Sequence, residues 1–402
     1  MSGATADPRY GAPRRAPRKG MSLSWSDPLF RSIVWQVLIV GVVVAVIWYL
    51  VANTRHNLEV RKIATGFGFL WREAGLPIGE TPVSYSPTDT YFRALLIGVL
   101  NTLKVSVVGI ILATVIGTVV GIGRLSSNWL LAKFTAVYVE VLRDLPLLLQ
   151  LLFWYALMQG LPGPRQALNP AEGVFLSNRG IKIPALIWEA GHWWALLAFL
   201  AGIGGMVIFG RMATRKQAET GVRPRSWPAA LGLLVVVPLA VWAAFGAPWS
   251  WEMPALRGFN FQGGGTLTPE FMALLAGLTI YSSAFIAEIV RSGILAVPTG
   301  QWEAGGALGP RRGQMMRLVV LPQALRVIIP PMTSMYLNIT KNSSLAVAIG
   351  YQDIVSIANT TLNQTGQAIE GIAIIMVVYL TISLSISVFM NWYNARIALV
   401  ER

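Results

Sequence analysis

Hydrophobic residues in this chain come in long runs separated by shorter polar stretches. Eight runs stand out: Ile33–Ala52, Ala94–Gly123, Phe134–Met158, Trp193–Phe209, Ala229–Ala247, Phe271–Ile294, Val327–Ile349 and Gly371–Trp392. A helix needs about 20 apolar residues to cross a bilayer core, and these lengths suit spanning helices that tilt by differing amounts. Several ends carry paired aromatics, such as Trp48-Tyr49, Trp154-Tyr155 and Trp392-Tyr393, residues favoured at the lipid–water interface. The pattern predicts an all-α polytopic membrane protein with about eight transmembrane helices. The fourth and fifth runs are short, and the fifth contains Pro238.

Composition supports the same class. Of 402 residues, 54% are hydrophobic and 12% charged, and mean hydropathy is +0.57; a soluble domain carries about 25% charged residues. The net charge of +14 raises the question of nucleic acid, but the cations lie between apolar runs, where they set membrane orientation. With the N-terminus inside, twenty Lys and Arg fall in inside stretches and nine in outside ones. That bias predicts both termini in the cytoplasm, and no nucleic-acid partner is expected. Residues 1–30, basic and rich in Pro, Gly and Ala, read as a disordered cytoplasmic tail, and 53–93 as a loop on the outer side.

Several chemistries are excluded. There are no cysteines, hence no disulfides, thiolate metal sites or cysteine nucleophiles. No Gly-Lys dipeptide exists for a phosphate-binding loop, and His56 and His192 stand apart, so no metal or hydrolytic site is expected. This chain is not expected to hydrolyse nucleotide or to bind a cofactor.

Between the sixth and seventh runs the sequence reads Gln301-Trp302-Glu303-Ala304-Gly305-Gly306-Ala307-Leu308-Gly309, with Leu321-Pro322 twelve residues on. Thr299 or Gly300 is positioned to cap a short helix, Glu303 complements its dipole, and Gly309-Pro310 would end it. Its Ala and Gly surface would admit another backbone at close range. The plain alternative is a polar connector. The stretch resembles the E-A-A-x-x-x-G-x(9)-I-x-L-P loop of type I ATP-binding-cassette (ABC) importer permeases, with Gly305 in place of Ala and Val319 in place of Ile. Glu140-Val141-Leu142-Arg143-Asp144-Leu145-Pro146, Asn101-Thr102-Leu103, Ala287–Ile294 and Lys341-Asn342-Ser343-Ser344-Leu345 resemble segments of the polar amino-acid branch of that family.

The resemblance implies a permease core over 94–395, interrupted by an insertion at about 159–270 that adds two helices, with a peripheral first helix over 31–52. It also implies that 298–322 is the coupling loop on an ABC ATPase dimer, through Glu303, Ala304, Gly305, Gly309, Leu321 and Pro322. The further partners would be a second homologous permease, a periplasmic amino-acid-binding protein and membrane lipid. ATP and Mg would sit on the ATPase. Location would be the bacterial inner membrane, and the function ATP-driven import of L-amino acids, of broad or polar specificity, by alternating access.

Charged residues in spanning runs mark pathways by default. Lys341, Asn342 and Ser343 follow Pro330-Pro331 where a helix would loosen and expose backbone, and are read as substrate-path residues. Glu288 is read as the partner for a substrate ammonium, with Arg291 one turn on. A helix-end packing role for Lys341 weighs about equally, and Glu288–Arg291 would equally serve as a stabilising pair. Two other functions stay open. An ion-coupled secondary transporter would need no ATPase and leaves the docking loop unexplained; a non-transporting scaffold leaves Lys341 and Glu288 unexplained.

Overall fold

The computed structural model describes residues 25, 28–61, 65–222 and 224–397, and most of the tail expected over 1–30 falls outside them. The chain divides into two units, 1–66 and 67–402. The first holds α1 (Pro28–Val60), whose apolar side chains from Val37 to Val51 are exposed, as suits contact with lipid. This helix runs on to Val60, eight residues past the boundary expected at Ala52.

The second unit opens with a packed strap over 67–90 rather than a free loop. Phe69 and Leu76 are buried within it, and its ends pair at Glu73 and Thr90. Thr90 caps α2 (Tyr91–Gly123) by accepting from the Arg93 amide. Two helices follow, α3 (Trp129–Asp144) and α4 (Leu147–Gln159), where one span was expected over Phe134–Met158. Pro146 lacks an N–H, and the residue before a proline is held extended; Leu145 has φ −88°, ψ 128°. The Gln150 amide donates to the Leu142 and Leu145 carbonyls at 3.0 and 3.2 Å, satisfying groups that the break releases.

The insertion departs from an all-α fold. Strands β1 (Leu168–Ala171), β2 (Val174–Ser177), β3 (Gly180–Ile183) and β4 (Ala185–Leu186) precede a long helix, α5 (Ala190–Thr220). It packs on α6 (Trp227–Leu231) and α7 (Val237–Ala244). A wide π turn over Gly232–Val236 joins those two, just before Pro238, which cannot donate the ordinary helical bond. Four more strands, β5 (Trp251–Glu252), β6 (Ala255–Arg257), β7 (Asn260–Gln262) and β8 (Gly265–Leu267), return the chain. Antiparallel pairing gives a sheet of order β1-β2-β3-β8 and the two-stranded sheets β4-β5 and β6-β7; Phe175 stacks on Phe261 at 4.4 Å between centroids.

The core centres on α8 (Pro269–Leu295), packed against α2, α4 and α11 (Leu321–Asn342), with α13 (Ala368–Ile397) outside α11, the short α9 (Thr299–Ala307) and α10 (Arg312–Met315) before α11 and α12 (Ile354–Thr365) after it. Small residues on α2 let α8 approach: a Cβ on Gly117 would lie 2.8 Å from the Ser283 carbonyl, and one on Gly121 2.6 Å from that of Ala287. Close backbone approach of this kind is how spanning helices associate. Among the described residues seven helices are long and apolar enough to cross a membrane; the α3–α4 pair accounts for the remaining expected run.

Candidate functional site

Candidate functional groups gather at two places, one around α9 and one at the strap. At the first, α8 ends at Leu295 and the chain turns into α9, whose N-cap is Pro298 with no side-chain cap bond. The expectation that Thr299 or Gly300 would cap it is therefore corrected, both lying inside the helix. Trp302 packs on the core, and Gly305 is buried where a Cβ would stand 2.6 Å from Met315 Sδ. That contact explains why Gly replaces Ala in the motif. The Gln323 amide, donating to Gln301 at 3.3 Å and the Val319 carbonyl at 3.0 Å, ties α9 to α11.

Glu303, Ala304 and Ala307 lie on the opposite, exposed face, and Leu308 is 87% exposed. Gly309 has φ +70°, a conformation that costs other residues, and its amide closes the helix on the Gly306 carbonyl at 2.9 Å. Leu321 is exposed and Pro322 part-buried at the start of α11. A small helix, packed on the core through Trp302 and Gly305, thus leaves its outer face exposed.

Glu288 sits in an ion triad near this same end. It accepts from Arg291 Nη2 at 2.7 Å and from Arg124 at the end of α2. Lys341 lies apart from it: α8 and α11 are antiparallel, with Gly293 against Ile328, so Glu288 and Lys341 are offset by roughly 12 Å of helical rise, and no ion pair joins them among the described residues. The structure therefore does not bring these two expected path residues together. The similar Glu140-x-x-Arg143 does not repeat the pair; Arg143 instead lies over the Phe285 ring at 5.2 Å.

Helix α11 has one exposed face. Val327, Pro330 and Pro331 make its first half apolar, and Ser334, Asn338 and Lys341 make its second half polar, whereas Ile328, Met332 and Ile339 on the other side are buried. Lys341 makes no ion pair or side-chain hydrogen bond among the described residues. Asn342 is half-buried, and Ser343 is turned inward, donating to the Thr340 carbonyl at 2.7 Å and lying 3.5 Å from the Tyr379 hydroxyl. After Asn342 the helix tightens into a 3-10 turn over Ser343–Ile349. A cleft of about 370 Å³ between α2, α8, α11 and α13 lies behind this face; its lining, including Met332, Phe389 and Met390, is apolar and offers an amino acid no charge partner.

The strap end holds a polar cluster that sequence reasoning missed. Lys104 Nζ bonds Glu80 at 2.9 Å and lies 4.3 Å over the Phe271 ring. Burial raises the Glu80 carboxyl above its usual range, against the pull of Lys104. Gln352 bonds the strap twice, accepting from the Gly79 amide at 2.6 Å and donating to the Pro77 carbonyl at 2.9 Å. Asp353, fully buried, caps α12 through the Ser356 amide at 2.8 Å, and burial pushes its carboxyl up to about 7. These partners lie far apart in the chain, and only Lys104, a cation in an apolar run, gave a signal.

Seven long apolar helices among the described residues mark a polytopic membrane protein. Residues 228–399 match the family described as "Binding-protein-dependent transport system inner membrane component". The chain is 51% identical, over 97% of its length and 99% of the other's, to the putative amino-acid ABC transporter permease protein YhdX of Escherichia coli (strain K12). It is 48% identical to the general L-amino acid transport system permease protein AapQ of Rhizobium johnstonii, over 94% of each chain. It is 42% identical to the glutamate/glutamine/aspartate/asparagine transport system permease protein BztB of Rhodobacter capsulatus, over 96% of this chain and 98% of that one. The chain belongs to the amino-acid ABC transporter permeases: it is an inner-membrane transport subunit, not an enzyme, of a system that works with an ATPase and a binding protein.

Proposed function

We propose that this subunit imports L-amino acids of broad, largely polar range, paired with a second, related permease, and that both of its termini are cytoplasmic. The α9 end then faces the cytoplasm. The outer face of α9, from Glu303 and Ala304 to Leu308, docks on the ATPase dimer, with Gly305 seated on Met315 and Gly309 fixing the turn. ATP and Mg belong to the ATPase; nucleotide-driven closure is transmitted through α9 and the Leu321-Pro322 start of α11, rocking the spans around a path between the two permeases.

The observation that carries the path assignment is the exposed polar second half of α11. Polar and charged side chains facing lipid are costly, and in spanning helices they turn to a partner or an aqueous path. A crossing amino acid keeps both its charges, so the path must supply partners for each. Lys341, with Asn338 and Ser334 below it, suits the carboxylate, and Asn342 borders this face. Ser343 supports the local turn. Glu288 and Arg291, with Arg124, brace α2 against α8 next to the docking helix, and the partner for the ammonium group lies elsewhere in the complex.

Replacing Lys341 with Met keeps the bulk and removes the charge. In proteoliposomes holding the whole complex, Lys341→Met is expected to assemble normally while ATPase stimulation by loaded binding protein falls. Normal uptake and normal stimulation would return Lys341 to a packing role.

A further inference from the structure

The exposed face of α11 is flanked by a second cation. Counting from Ser334 at 100° per residue, Lys341 lies about 20° to one side and Arg326 about 80° to that same side. Arg326 is therefore on the flank of the face, roughly 22 Å of helical rise from Lys341 and close to the α9 end. Two of its guanidinium nitrogens, Nε and Nη2, are buried, and neither has a hydrogen-bond partner among the described residues.

Buried guanidinium groups in spanning helices pair with an acceptor or mark a pathway. Its own helix supplies no carboxylate, since α11 contains no Asp or Glu, and Glu288 is already shared between Arg124 and Arg291. Nε and Nη2 form one edge of the guanidinium, two parallel N–H groups spaced to meet both oxygens of a carboxylate. A single carbonyl oxygen can accept from both, as that of Ser84 does from Arg93, but it brings no charge to offset the guanidinium's, whereas a carboxylate meets both N–H groups and the charge. The ligand chemistry this edge selects is a carboxylate.

We propose that Arg326 is a second carboxylate-binding position on the translocation path, which receives the α-carboxylate of the amino acid after it leaves Lys341. The proposal rests on the reading that the exposed face of α11 lines the path. Two cations about 22 Å apart in helical rise, with Asn338 and Ser334 between them on the Lys341 side, give the carboxylate a charged partner at each level. Because every amino acid presents that group, the arrangement suits a permease of broad range.

The test uses the whole complex in proteoliposomes, with binding protein and labelled L-glutamine. Arg326→Met is expected to assemble with its partner subunits and to slow uptake at least tenfold. Arg326→Lys, which keeps the charge and loses the fork, is expected to slow uptake two- to fivefold, and it carries the test if Arg326→Met fails to accumulate. Wild-type uptake in both variants overturns the proposal. So does a complex that dissociates in Arg326→Met, which would assign the guanidinium to a carboxylate of a partner subunit. Lys341→Met, measured alongside, separates the two levels. If it too transports normally, the path reading itself fails; if it is slow while Arg326→Met is normal, only the second position fails.

Discussion

Replacing Gly117 with Ala would press α2 away from α8. The new Cβ would stand 2.6 Å from Ile286 Cγ2, 2.7 Å from Ile286 Cβ and 2.8 Å from the Ser283 carbonyl oxygen. Carbon contacts settle at about 3.5–4.0 Å, so the helices must part by about 1 Å or strain locally. Overpacking of a tight core costs about 1–3 kcal/mol, and backbone and β-branched neighbours, which yield little, favour the upper part of that range. Ala recovers up to about 1 kcal/mol of helix propensity over Gly, leaving a net loss of about 1–2 kcal/mol. Gly109 on the same helix is the control, since a Cβ there meets Ile339 Cγ2 at 3.7 Å and Leu275 Cδ1 at 3.9 Å, both ordinary contacts. Thermal unfolding in one detergent should show Gly117→Ala melting about 1–2 °C below wild type and Gly109→Ala at or slightly above it. Equal melting of the two variants would refute the view that the Gly117 seam sets the α2–α8 distance.

Gly309→Arg should leave the protein in the membrane but weaken retention of the ATPase, because φ +70° is strained for any side chain at the turn that ends α9; unchanged co-purification and normal transport would contradict the docking role. Native Asp353 keeps its proton up to about pH 7, whereas an ordinary aspartate carboxyl titrates at 3.8, so the folded state binds the extra proton between those values and stability falls as pH rises from about 4 to 7. Asp353→Asn keeps a cap acceptor and should flatten that slope in melting curves; an undiminished slope would mean another group carries it. The chain has no native cysteine, so single cysteines report topology cleanly: Ser84 and Ala171, both exposed, should label from the periplasmic side and Ser226 should not. Labelling of Ser226 from that side would overturn the order of α5 and α6–α7.

The spans were legible because a bilayer imposes about 20 apolar residues per crossing helix, a demand that few other structures make. The break at Pro146 was written in the sequence, but spanning helices tolerate proline, so the run from Phe134 read as continuous. Strands of two to four residues leave no alternating pattern long enough to detect. At the α9 end the motif was local and readable, down to Gly309. Pairings such as Glu80–Lys104, Gly79–Gln352 and Arg124–Glu288 join residues 24, 273 and 164 apart, and nothing in a linear reading links them. Lys341 stands out in the sequence as a cation within an apolar run, but its neighbours on the exposed face are Asn338 and Ser334, one and two turns back, rather than the adjacent Ser343. Helical geometry, not sequence adjacency, decides which residues share a surface.

ATP dependence of transport tests the account most directly. The complete complex, reconstituted with loaded binding protein outside and ATP inside the vesicles, should accumulate labelled L-glutamine. Uptake should cease when the ATPase is omitted, whatever proton or sodium gradient is imposed. Accumulation driven by an ion gradient through this permease without the ATPase would contradict the account and return the chain to the ion-coupled transporters.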